Sequence, residues 1–262
     1  MQPLISATEL FQNHQNKTLI ILDASKAFDE KSVIPGAIRF DLSGVFSDQN
    51  SPFPNTLPSP KVFETECRKL GLNADTDIVV YDNDKLFNSP RVWYMFKAMG
   101  HDKVRVLDGA MPDWKNAGGE TTVYSEIQID SGNFKANFSE KAFRDIGWVK
   151  NNIELQSAVL IDARSEGRFE GTEPEPRPGL RSGSIPNSCN LPFTKVLENG
   201  CFKSKENLRA IFNSLEDNEK PFVFSCGSGV TACILLLAAT IAEYQNLSVY
   251  DGSWTEWATL VK

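Results

Sequence analysis

Cys226 stands at the end of a short apolar run, Phe222-Val223-Phe224-Ser225. It is followed by Gly227-Ser228-Gly229-Val230-Thr231 and then by the apolar stretch Ala232 to Leu237. This order reads as a buried strand, a glycine-rich loop and a helix. Gly227 and Gly229 let the backbone curl so that successive N–H groups can face one point, and the helix N-terminus adds partial positive charge there. Such a loop favours a thiolate, which makes Cys226 a candidate nucleophile. The plainer alternative is an inert thiol at a strand end. Ser228 reads by itself as a turn residue chosen for its backbone. Thr231 is placed to cap the helix with its hydroxyl. Cys233, on the apolar helix, reads as core.

The elements that must carry this loop occur twice. Thr18 to Leu22 is a strand ending in Asp23-Ala24-Ser25, and Val159-Leu160-Ile161-Asp162-Ala163-Arg164 echoes it. Ile34-Pro35 with Phe40-Asp41-Leu42 returns as Ile185-Pro186 with Asn190-Leu191-Pro192-Phe193. Asp77 to Tyr81 and Val104 to Leu107 are further strands. Helices are expected near Lys61 to Leu70, ended by Gly71, and Pro90 to Met99, ended by Gly100. Val106-Leu107-Asp108-Gly109 through Trp114 matches Val249-Tyr250-Asp251-Gly252 through Trp257. Strands alternating with helices in each half predict an α/β fold of two tandem domains, each a mainly parallel sheet flanked by helices. The expected organisation is 1–118, a polar linker at 119–138, and 139–262. The first copy has Tyr81-Asp82-Asn83-Asp84-Lys85 where the second has Ser225-Cys226-Gly227-Ser228-Gly229, so the first is expected to be catalytically silent. Only the second carries the insertion from Glu170 to Arg181.

Composition narrows the class. The chain has 262 residues with a formal net charge of -7, 41% hydrophobic and 23% charged residues. That is a globular composition, and its acidity argues against nucleic acid as a partner. The run Ala232 to Ala239 is too short to span a bilayer, and no signal peptide is visible. Five cysteines without short paired spacing fit free thiols in a reducing, cytoplasmic setting. With two histidines, neither near a cysteine pair, no metal or other cofactor is expected. A cysteine-based phosphatase is disfavoured, because Thr231 and Ala232 stand where a phosphate-clamping arginine would end the loop.

Asp-Ala-Arg at 162–164, Gly-Arg-Phe-x-Gly at 167–171, Glu-Pro-Glu-Pro-Arg at 173–177, Cys-Gly-Ser-Gly-Val-Thr-Ala at 226–232 and Asp-Gly-Ser-Trp-x-Glu-Trp at 251–257 occur in this order. Together they resemble the two-domain rhodanese-like sulfurtransferases, over essentially the whole chain. The loop Cys226 to Thr231 is similar to that of the 3-mercaptopyruvate branch; thiosulfate-specific relatives carry basic side chains there. The resemblance implies transfer of sulfur from 3-mercaptopyruvate to Cys226, with release of pyruvate and a persulfide left on the enzyme. A thiol such as reduced thioredoxin or glutathione, or cyanide, then takes the outer sulfur. It further implies that Arg168 and Arg177 clamp the keto acid, that Gly227, Gly229, Val230 and Thr231 line the site, and that Ser228 either relays a proton or hydrogen-bonds the substrate. Against that role stands pairing of both arginines with Glu166, Glu170, Glu173 or Glu175. Arg164 and Arg181 read as surface or structural. The alternatives kept open are a thiosulfate sulfurtransferase, a persulfide carrier and a non-catalytic binding module of the same fold.

Some family members are proposed to back the serine with a histidine and an aspartate from the first domain. Here Ser43 and Asn55 stand at those places, and Val33 and Ser184 replace the histidine that commonly precedes Ile-Pro. A Ser-His-Asp relay therefore cannot operate. Deprotonation of the substrate thiol is left to water, to Ser228 alone, or to an already ionised Cys226.

Overall fold

A computed structural model describes residues 2–16, 18–125, 129–215 and 219–261. By Cα proximity the chain separates into two compact units, 1–50 with 57–139, and 51–56 with 140–262. In chain order, the first contains β1 (Leu4–Ile5), α1 (Ala7–Asn13), β2 (Leu19–Asp23), β3 (Ile38–Arg39), α2 (Pro60–Lys69), β4 (Asp77–Tyr81), α3 (Ser89–Ala98), β5 (Val104–Leu107) and α4 (Met111–Asn116). The second contains β6 (Phe143–Arg144), α5 (Ile146–Leu155), β7 (Val159–Asp162), α6 (Glu166–Glu170), β8 (Ser188–Asn190), a 3-10 turn (Phe193–Val196) leading into the hairpin β9 (Leu197–Glu198) and β10 (Cys201–Phe202), α7 (Lys205–Asn213), β11 (Phe222–Ser225), α8 (Ala232–Ile241), β12 (Leu247–Tyr250) and α9 (Ser253–Leu260).

Each unit is built on a five-stranded sheet, in the orders β1-β5-β4-β2-β3 and β6-β12-β11-β7-β8, with all neighbours parallel. The duplicated sequence thus gives duplicated topology. Strands rich in Val, Ile and Leu suit a parallel sheet covered on both faces. β4 and β11 are the central strands, so the residue after each, Asp82 or Cys226, emerges at the carboxyl end of the sheet's middle strand. Open α/β sheets place their ligand sites at that end. α8 is apolar all round and buried from Ala232 through Ala239, as a helix without a polar face must be. No helix among the described residues is long and apolar enough to cross a membrane.

The stretch expected as a linker groups with the first unit from 119 to 139, with 126–128 outside the described residues. Its later part is laid along α2 and α3 by backbone bonds: the amides of Gly132, Phe134, Asn137 and Ser139 donate to the carbonyls of Arg68, Leu72, Met99 and Ala98 at 2.8, 3.0, 2.8 and 2.8 Å. Phe134, fully buried, packs its ring against Phe63 and Phe96. A polar composition concealed this one aromatic anchor. In the second unit the core joins Val149, Leu160, Ile185, Val223 and Tyr250 to Trp254 and Trp257, which are core residues as their apolar bulk suggests.

Candidate active site

The loop after β11 is strapped to the start of α9. The carbonyl of Cys226 accepts from Trp254 N at 2.9 Å, and that of Gly227 accepts from Thr255 N at 3.0 Å and Thr255 Oγ1 at 2.6 Å. Ser253 Oγ accepts from the amides of Cys226 and Gly229, both at 3.1 Å, and donates to Tyr250 O at 2.8 Å. Two amides that the glycine pattern offers to an anion are therefore committed to a hydroxyl. The loop is held rigid by α9, and the nest is narrower than expected. Cys226 itself is 2% exposed. Gly229, at φ +76°, takes the left-handed turn that closes the loop.

Thr231 is the last residue before α8, but its hydroxyl accepts no cap bond, contrary to expectation. Its φ of −70° and ψ of −17° are already helical, whereas a capping side chain turns back onto the first turn from an extended residue. Val230 is buried and its carbonyl accepts from Cys233 N at 3.0 Å. Both residues precede α8, with Thr231 at its N-cap position. Cys233 is buried in the core of α8.

Arg168, on α6, and Arg177, in the insertion, both come to Gly227. A Cβ on this glycine would lie 3.1 Å from Arg168 Nη2 and 3.6 Å from Arg177 Nη1. The absent side chain is what lets the guanidinium groups approach the backbone next to the thiol. Arg168 is oriented by Glu175, through Nη2 to Oε2 at 2.6 Å and Nε to Oε1 at 3.2 Å. Glu175 in turn accepts from Arg164 Nη1 at 2.6 Å, and Arg164 makes two further side-chain bonds of 2.6 and 3.0 Å to Asp162 Oδ2. Arg164 and Glu175 have fully buried side chains, so Arg164 is structural and not a surface residue; its guanidinium also lies 4.4 Å from the Trp254 ring centre. Burial works to lower the Arg164 pKa, but its bonds to Asp162 and Glu175 outweigh that and raise it.

Arg177 rests on hydroxyls instead, Nη1 on Thr255 Oγ1 at 3.1 Å and Nη2 on Ser228 Oγ at 3.2 Å. Among the described residues no carboxylate pairs with it. Of the pairings considered, only Arg168 with Glu175 is present for these two arginines. Three guanidinium groups (Arg164, Arg168, Arg177) and two carboxylates (Asp162, Glu175) leave one formal positive charge beside the thiol loop.

The sequence reading thus meets at one place for Cys226, Gly227, Ser228, Arg168 and Arg177. It missed Glu175, Ser253 and Thr255. A signal for the last two existed in the repeat: Ser253 and Thr255 stand where the first copy has Ala110 and Pro112. Asn55, noted only as a departure, donates from Nδ2 to Ser228 Oγ at 2.9 Å. Among the described residues no cluster of histidine, cysteine or carboxylate side chains could hold a metal ion.

Comparison with known proteins shows the family. The rhodanese-like domain model matches residues 6–117 and again 145–260. The chain is 40% identical to a mouse 3-mercaptopyruvate sulfurtransferase, covering 90% of this chain and 80% of the relative. It is 36% identical to a thiosulfate/3-mercaptopyruvate sulfurtransferase of Arabidopsis thaliana designated mitochondrial, covering 98% and 76%. The crystal structure of a 3-mercaptopyruvate sulfotransferase from Escherichia coli superposes with a TM-score of 0.85 at 33% identity, over 97% of this chain and 99% of that one.

Proposed function

This chain belongs to the rhodanese-like family and is a sulfurtransferase, and we propose that it takes sulfur from 3-mercaptopyruvate onto Cys226 and releases pyruvate. The observation that carries the reading is the pair of guanidinium groups beside Gly227, over a loop with no basic side chain of its own. An α-keto acid presents a carboxylate and a carbonyl oxygen, which planar donors fit. The single net positive charge of these five side chains matches a monoanion better than the thiosulfate dianion.

In the first step the Cys226 thiolate attacks the substrate sulfur. An S–S bond forms and the C–S bond breaks, its electron pair passing into the enolate of pyruvate. The proton of the substrate thiol ends on the methyl carbon of pyruvate, and Cys226 is left as a persulfide anion. In the second step an acceptor thiol, such as reduced thioredoxin or glutathione, or cyanide, attacks the outer sulfur and restores the thiolate. Five cysteines outside any disulfide suit a reducing, cytoplasmic compartment.

Intact-protein mass spectrometry after incubation with 3-mercaptopyruvate, and separately with thiosulfate, in the absence of acceptor tests this directly. One added sulfur mapped to Cys226 and selective for 3-mercaptopyruvate is expected. Addition from thiosulfate alone would move the protein to that donor, and addition from neither would leave a non-catalytic binding module. Arg177→Ala is expected to raise KM for the keto acid by ~10- to 100-fold, the scale of a charged hydrogen bond.

A further inference from the structure

A serine hydroxyl has two acceptor lone pairs and one hydrogen to give. At Ser228 both acceptor positions face N–H donors: Asn55 Nδ2 at 2.9 Å and Arg177 Nη2 at 3.2 Å. Neither donor can take a proton back, since an amide nitrogen is not basic and a guanidinium stays charged. We infer that Asn55 is a positioning residue that, with Arg177, fixes Ser228 as a hydrogen-bond donor to the substrate and prevents it from serving as the base. This rests on the proposed reaction, and it assigns the serine hydrogen to the keto oxygen on which enolate charge develops.

Asn55 is built for the task. It lies in the 51–56 segment that belongs to the same compact unit as Cys226. That segment is tied to itself by Ser51 Oγ and Thr56 Oγ1 at 2.7 Å, Phe53 N to Ser51 Oγ at 3.1 Å, and Thr56 Oγ1 to Phe53 O at 3.0 Å. Asn55 has φ +60°, a left-handed conformation that asparagine tolerates better than most residues. The backbone therefore presents a short amide at a fixed point. With Ser228 removed as a base, the substrate proton must leave through water or through Cys226 chemistry.

The test is single-turnover persulfide formation on Cys226 from 3-mercaptopyruvate. Asn55→Asp keeps the size and tolerates the same backbone, but turns the donor into an acceptor that captures the serine hydrogen. Its loading rate is expected to fall ~10- to 100-fold, with KM moving less than about 3-fold. Asn55→Gly, which keeps the positive φ without strain, serves should the aspartate variant not fold; a ~3- to 10-fold loss is expected. In a Ser228→Ala background either substitution should change the rate by less than about 2-fold, because the two residues act as one unit. Full additivity there, or wild-type loading by both variants, overturns the inference while leaving the reaction standing. If the wild-type protein takes no sulfur from 3-mercaptopyruvate, the reaction and the inference fall together.

Discussion

The two loops at the carboxyl ends of the central strands are copies of one design put to opposite uses. After β4, Asp82 occupies the place that Cys226 holds after β11. The Asp82 carboxylate accepts from the amides of Phe87, Asn88 and Ser89 at 2.9 to 3.2 Å, and from the Ser89 hydroxyl at 2.6 Å. The anion cradle at the start of α3 is thus filled by the chain's own carboxylate. In the second unit the side chain at that place is a thiol, and two guanidinium groups stand beside the next residue. Both copies keep the strap to the following helix, Met111 N to Asp82 O at 3.1 Å and Trp254 N to Cys226 O at 2.9 Å. Only the second adds the Ser253 and Thr255 hydroxyls. The difference teaches that a cradle for an anion is not yet a site; what occupies it decides.

The comparison can be broken most directly by moving the thiol. Cys226→Ser should lower the rate of pyruvate release by about 10³-fold or more, and adding Asp82→Cys to that variant should recover none of it. Recovery would mean that the second loop's arginines are dispensable. Next in size, Asp82→Ala should destabilise the first unit by about 3 kcal/mol, because three amides, two of them buried, and the buried Ser89 hydroxyl lose their acceptor. Urea unfolding followed separately for each unit checks this, and unchanged stability would show the cradle to be decoration. Glu175→Gln should then raise KM for the keto acid ~10-fold, or about 1.4 kcal/mol, as Arg168 loses its charged anchor; a wild-type KM would show that Arg168 is held by something else.

The smallest effect concerns pH. Both histidines of the chain lie in the first unit. Burial holds the His101 pKa below its ordinary 6.5, against the pull of its bond from Nε2 to Thr76 O at 2.9 Å. A depressed folded-state pKa contributes stability above pH 6.5 that is lost as pH falls through the folded value. The first unit should lose stability as pH falls from 7 to 5, and His101→Gln should flatten that slope. A slope that survives the substitution would assign acid sensitivity elsewhere.

Much of this was legible in the residues. Repetition of Asp-Ala, Ile-Pro and Asp-Gly at matching intervals gave two α/β copies, because parallel strands and their crossover helices leave a regular pattern. The glycine pair after Cys226 gave the loop, because few sequences allow a chain to turn so tightly. Thr231 has the right residue type for a cap but not the backbone: a hydroxyl reaches the first turn only from an extended residue, and ψ at Thr231 is −17°. The 119–138 stretch hid Phe134, whose neighbours Phe63 and Phe96 are distant in sequence.

What the sequence determined by itself was local and periodic: the order of elements, the thiol at a strand end, and the first copy's lack of one. What only the tertiary structure decided was partnership between side chains far apart in the chain. Arg168 and Arg177 meet Gly227, Glu175 orients Arg168, and Asn55 reaches Ser228 across 173 positions of sequence. Such contacts are selected by distance and donor geometry after folding, and residue types along the chain specify neither.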